Sequence, residues 1–288
     1  MDLTEFDRHR KVVETSSGRI GYAEIGDGPL AAVFVHGLAT NAALWRNVLG
    51  DLASERRCLA LDLPLHGQTP ASPNQDFSLL GLSKILGSFL DALGLDGVDL
   101  VANDTGGAVA QVFAANSPDR LRSLVLTNCD TRDNIPPEAF KPFIEMAERG
   151  ELAPLAVELF PDIAASRATA FGMGYENPDL PPDDVVVSFL EPVSGTLERA
   201  RQFERMITSM QPADLIASDD ALHELRVPAL VVWGTADSFF EPKWAQWLAE
   251  TIPGVTQVVE IEGAKLFFPD ERGPELIQAV RNFWTALP

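Results

Sequence analysis

At 288 residues the chain is long enough to bury one large core, or a core carrying an insertion, and its 46% hydrophobic content argues for a soluble globular protein rather than a disordered one. A formal charge of -20 without clusters of Lys or Arg excludes nucleic acid and an anionic membrane surface as expected partners. The opening stretch "MDLTEFDRHRK" has no apolar core of the signal-peptide kind, and no later window approaches a spanning length, so a cytoplasmic location is expected. Cys58 and Cys129 lack metal-ligand spacing and are expected to be reduced, buried thiols.

In chain order, "RIGYAEIG" reads as a strand from Arg19, followed by a turn at "DGP" and the apolar run "LAAVFVHG". A helical stretch spans about Asn41 to Ala53, then come the strand "RRCLALDL", a helix around Ser78 to Gly94, and the strand "VDLVAND". Short β-rich apolar runs alternating with helices fit parallel strands buried on both faces. After "LRSLVLTNCD" the rhythm changes, and residues 131–217 read as mostly helical, broken at Pro136, Pro161, Pro178, Pro181 and Pro182. The strand rhythm resumes in "VPALVVWGTAD", a helix from Lys243 to Thr251, "TQVVEIEG" and a closing helix from Pro274 to Ala286. The expected division is a core of residues 1–130 and 218–288 with a helical cap at 131–217.

Every motif of interest ends a strand: His36 and Gly37, Asp62 and His66, Asp104, Asn128 and Asp130, and Asp237. In doubly wound sheets ligands bind outside the carboxyl ends of the strands, so these residues are expected to converge on one cleft beneath the cap.

The combination of "HG" after an early strand, "NDTGG" at a strand-to-helix turn and "WGTAD" later resembles the α/β-hydrolase family over almost the full length. An aspartate at the elbow, together with "HGLATNAALWRNV", is similar to the haloalkane dehalogenase and epoxide hydrolase branch. The resemblance implies an α/β-hydrolase fold, Asp104 as nucleophile, the backbone N–H groups of Leu38 and Thr105 as the anion-stabilising pair, and no cofactor or metal. Attack by a carboxylate on an acyl carbon makes an energetic anhydride, whereas attack on a saturated carbon leaves an ordinary ester, so sp3 carbon is the favoured target. The alternative role for Asp104 is to cap the helix that follows it.

The family's water-activating histidine belongs in the loop after the last strand, here "EGAKLFFPDERG", which contains none. Aligning on the preceding Gly-Ala puts Lys265 at the base position, and aligning on the following acidic turn puts Leu266 there. A lysine, ordinarily with a pKa of about 10.4, would need burial to bring it near neutrality. Asp237 and Asp130 both fall where related enzymes place the acid that orients the base, so one of them is expected to pair with Lys265. His36 is the histidine near enough to Asp104 to stand in as a base.

Thr105 and Leu38 stand where many haloalkane dehalogenases carry tryptophan and asparagine for halide. Epoxide hydrolases use paired cap tyrosines, of which this cap has only Tyr175. The expected pocket takes in His36, Trp45, Asn128, Asp130, Phe140, Phe171, Tyr175 and Leu266, with Phe143, Met173, Phe189, Phe203 and Met206 as further cap residues that serve either as wall or as the cap's own core. The expected function is hydrolysis of a small, largely apolar substrate (epoxide, haloalkane or ester-like) through Asp104, with Asp237 and Lys265 as partners. A lyase or isomerase using Asp104 as general base, and a non-catalytic ligand binder, are the alternatives. A small molecule is the expected partner, and a homodimer stays open.

Overall fold

A computed structural model describes residues 1–287; Pro288, the last residue of the expected core, lies outside the described residues. The strands are β1 (Arg10–Thr15), β2 (Gly18–Ile25), β3 (Ala31–Val35), β4 (Arg57–Leu61), β5 (Val98–Asp104), β6 (Leu121–Cys129), β7 (Ala229–Gly234) and β8 (Val255–Ile261). They form one sheet in the order β1-β2-β4-β3-β5-β6-β7-β8, antiparallel at β1-β2 and β2-β4 and parallel from β4 onward. All of β5 and β7 is buried, as strands covered on both faces must be. Edge strand β1 escaped the sequence reading because it is half exposed and its apolar residues, Val12 and Val13, are adjacent rather than alternating.

Helices fill the remaining layers: α1 (Leu3–Asp7), α2 (Arg46–Leu52), α3 (Leu79–Ala92) and α4 (Thr105–Asn116) precede β6. Ser78 starts α3 by accepting a hydrogen bond from the Gly81 amide, and Leu82, Leu86 and Phe89 then fall on its buried face. Between β6 and β7 lie α5 (Lys141–Glu148), α6 (Leu152–Leu159), α7 (Ile163–Arg167), α8 (Ala170–Met173), α9 (Asp183–Ser194), α10 (Leu197–Ser209) and α11 (Ala213–Glu224). Helix α10 packs on α5, α6 and α9, whereas α11 packs on α3 and α4 of the sheet layers. The chain finishes with α12 (Lys243–Thr251), α13 (Phe268–Glu271) and α14 (Gly273–Ala286).

The strand order determines where a ligand can sit. From β3 the chain moves to β4 on one side, and β5 returns to the other side of β3. That reversal opens a crevice at the carboxyl ends of β3 and β5, which is where Leu38 and Asp104 lie. Among the described residues no helix is long and apolar enough to cross a membrane, and no group of His, Cys, Asp and Glu is arranged to hold a metal ion.

Candidate active site

Asp104 ends β5 at φ 56° and ψ -137°, a left-handed conformation that non-glycine residues avoid, and α4 begins at the next residue. Its side chain makes no capping hydrogen bond to α4, so the turn is not there to give the helix an N-cap. Instead the Leu38 amide donates to Oδ2 of Asp104 at 2.8 Å. Gly37 permits that approach, since a Cβ there would sit 2.1 Å from the same oxygen. Gly106 serves the other side of the elbow, where a Cβ would lie 2.4 Å from the His36 carbonyl. Ala39, opposite the aspartate, is also at positive φ (52°), so both lips of the crevice carry strained backbone.

Burial pushes the Asp104 carboxyl up to about 7, and the charge of Asp237 adds to the shift, while the amides of Leu38 and Thr105 oppose it. Asp237 lies behind the site, where its carboxylate accepts from Asn128 Nδ2 at 2.7 Å and from the Phe239 amide at 2.9 Å. Its pKa is raised to about 6 by burial, against those hydrogen bonds. Asn128 also ties down β7 through Gly234, donating to its carbonyl at 3.1 Å and accepting from its amide at 2.6 Å. It therefore holds Asp237 and does not reach the cavity as expected.

The cavity in front of Asp104 has a volume of about 180 Å3 and is overwhelmingly apolar. Leu38, Ala39, Asp104, Thr105, Asp130 and Leu266 form its floor. Phe140, Phe143, Phe171 and Phe203 close it from the β6–β7 segment, and Phe189 and Met206 are buried elsewhere while Met173 is exposed. The sequence reading missed Phe239 and Phe240, although "SFF" directly follows Asp237, and missed Leu190 with Val193 and Leu152 with Leu155 and Leu159, whose three- and four-residue spacings mark one helical face.

Several expected site residues lie elsewhere. Leu266, not Lys265, faces the cavity, because the Leu266 carbonyl accepts from Asn103 Nδ2 at 3.1 Å and so pins the loop's register against β5. Lys265 is half-buried and makes no salt bridge with Asp237 or Asp104, so the expected lysine–carboxylate pair is not closed, although its charge lies near enough to Asp237 to oppose the rise of that carboxyl's pKa. His36 is not on the wall either. Its Nδ1 bonds the Gly37 carbonyl at 2.7 Å and its Nε2 accepts from the Leu63 amide at 2.9 Å, so both nitrogens are engaged, and burial pushes its pKa down to about 3. Trp45 is buried against Phe34 in the core, away from the cavity. Tyr175 packs behind Phe171 and Phe267 and donates its hydroxyl to Asp270 at 3.2 Å. Asp270 in turn pairs with Arg46 at 2.7 Å, so the tyrosine belongs to a buried polar network and not to the pocket.

A strained aspartate elbow at a topological switch point, with an amide from the loop after β3 on its carboxylate, defines the class of scaffold. The profile of the alpha/beta hydrolase fold family matches residues 33–152, and the eight-stranded, mostly parallel sheet with its flanking helices has that fold. It is 26% identical to Haloalkane dehalogenase 2 of Mycobacterium bovis, over 93% of this chain and 92% of that protein. It is 29% identical to the dihydrolipoyllysine-residue acetyltransferase component of the acetoin cleaving system of Pseudomonas putida, over 83% of this chain and 62% of that protein. With several curated relatives the match spans only 36% to 62% of their length. Among solved structures, the epoxide hydrolase CorEH superposes with a TM-score of 0.79 at 18% identity, covering 97% of this chain and 99% of that one, which speaks to the fold alone.

Proposed function

We propose that this protein is an enzyme in which the Asp104 carboxylate attacks a saturated carbon of a small, largely apolar electrophile, an epoxide or a haloalkane, beneath a cap formed by residues 131–217. The observation that carries this reading is the Asp104 carboxyl at a strained elbow, one oxygen held by the Leu38 amide and the group opening on an apolar cavity. A carboxylate of raised basicity is a stronger nucleophile, and the amide at Oδ2 stabilises the carbonyl oxygen of the resulting ester. The chemistry needs no cofactor.

Release of product would require activated water, and here the reading departs from ordinary turnover. Leu266 fills the place of a base, while His36 and His66 have both ring nitrogens hydrogen-bonded and are held neutral by burial. The ester is therefore expected to form quickly and clear slowly. Intact-protein mass spectrometry after incubation with aliphatic epoxides and alkyl iodides tests this: a single added mass on the Asp104 peptide is expected, absent in Asp104→Asn.

A second reading is favoured by the same raised pKa. A carboxylate poised at about 7 is matched to proton abstraction at neutral pH, which would make the protein a lyase or isomerase with no covalent ester. Steady turnover without an adduct at any time would replace the first reading by this one. Silence toward every probe would leave a ligand-binding protein on the same scaffold.

A further inference from the structure

Asp130 is the second carboxyl group on the cavity wall. It follows the last residue of β6 and is only 2% exposed. One oxygen shares a 2.9 Å hydrogen bond with Oγ1 of Thr105, the residue after Asp104, and its backbone carbonyl accepts from Gln111 Nε2 at 2.8 Å. Helix α4 thus fixes Asp130 through residues one and seven positions beyond the elbow aspartate. Among the described residues its other oxygen has no hydrogen-bond partner, and no cation neutralises the group. Burial and the neighbouring Asp104 charge push its pKa well above the carboxylate range. Asp104 has the Leu38 amide on its carboxylate whereas Asp130 has only the Thr105 hydroxyl, so of the two it is Asp130 that keeps a proton.

We infer that Asp130 is the proton donor of this site, giving its proton to the oxygen released when Asp104 opens an epoxide. The inference rests on the nucleophile reading above. Opening an epoxide generates an alkoxide, which an apolar cavity cannot solvate and which must be protonated as the ring breaks. Tyr175, the one cap tyrosine, has its hydroxyl on Asp270 and does not line the cavity. An oxygen of Asp104 forms a bond to the epoxide carbon, that carbon's bond to the ring oxygen breaks, and the freed electron pair takes the Asp130 proton. Asp104 becomes a β-hydroxyalkyl ester and Asp130 a carboxylate, so the pair carries one negative charge before and after. A haloalkane needs no such proton, since its bonding pair departs with the halide.

The leaving group therefore separates the two carboxyls. Initial rates of adduct formation are measured by mass spectrometry with a terminal aliphatic epoxide and a primary alkyl iodide of equal chain length, on wild type and Asp130→Asn. Asparagine keeps the shape, the neutrality and an acceptor for Thr105, and removes the acidic proton. The epoxide-to-iodide ratio of rates is expected to fall by roughly 10²-fold or more in the variant, the scale of general-acid assistance. An unchanged ratio overturns the inference, and so does a loss common to both probes, which marks a structural role. Wild type alkylated by the iodide but never by the epoxide also overturns it while leaving Asp104 as nucleophile. No adduct with either probe removes the nucleophile reading itself, and this inference with it.

Discussion

Asn103 donates its side-chain amide to the backbone carbonyl of Leu266 at 3.1 Å, joining the residue before the elbow aspartate to the loop after β8 across 163 positions of sequence. This bond decides which side chain of that loop looks at Asp104. Leu266→His should place an imidazole against the Asp104 ester, and general-base assistance should speed the loss of adduct by roughly 10²–10⁴-fold. Lys265→His should leave that rate unaltered, because residue 265 is not on the cavity wall. Time courses of adduct mass after removal of the electrophile distinguish the two.

Asp104→Asn should stabilise the protein in alkaline buffer. The Asp104 pKa rises from 3.8 unfolded to about 7 folded, so its contribution is fully present below pH 3.8 and is lost as pH rises through 7. Asparagine escapes that loss while still accepting from the Leu38 amide. The gain should be about 4 kcal/mol at pH 8 and shrink toward zero near pH 4. Urea unfolding of both proteins across that range measures it.

His66 gives the opposite sign. Its Nε2 accepts from the Ala39 amide at 3.2 Å, its Nδ1 bonds the Pro64 carbonyl at 3.0 Å, and burial lowers its pKa from 6.5 to about 3. A depressed histidine contributes fully above pH 6.5 and loses that contribution as pH falls toward 3, since the unfolded chain takes up the proton first. His66→Gln should therefore be less stable than wild type at pH 7.5, with the deficit narrowing as the pH is lowered to 4.5. Denaturant midpoints at the two values give the comparison.

Tyr175→Phe separates structure from chemistry at the one tyrosine of residues 131–217. Losing the hydroxyl bond to Asp270 should lower stability by about 1 kcal/mol, because that carboxylate keeps Arg46. The rate of epoxide adduct formation should not change. Thermal unfolding and the adduct assay, run on the same preparation, read the two effects.

Local sequence determined the scaffold to a large extent. Buried parallel strands read as unbroken apolar runs, and glycines stand where the elbow and the loop after β3 approach each other, so the fold and the place of Asp104 are legible in the sequence. The change of rhythm after Cys129 likewise announced the helices that separate β6 from β7. What sequence left open was which way side chains face in loops, where no period of two or 3.6 constrains them. Lys265 or Leu266 was such a choice, and a hydrogen bond from a strand 163 residues away settled it. The histidines were another: a His at a strand end looks available until the amides of Leu63 and Ala39 are seen to occupy its nitrogens. Long-range partners of this kind exist only once the sheet is assembled, which is why tertiary structure alone took Trp45, Tyr175 and His36 out of the pocket and put Phe239 and Phe240 into it.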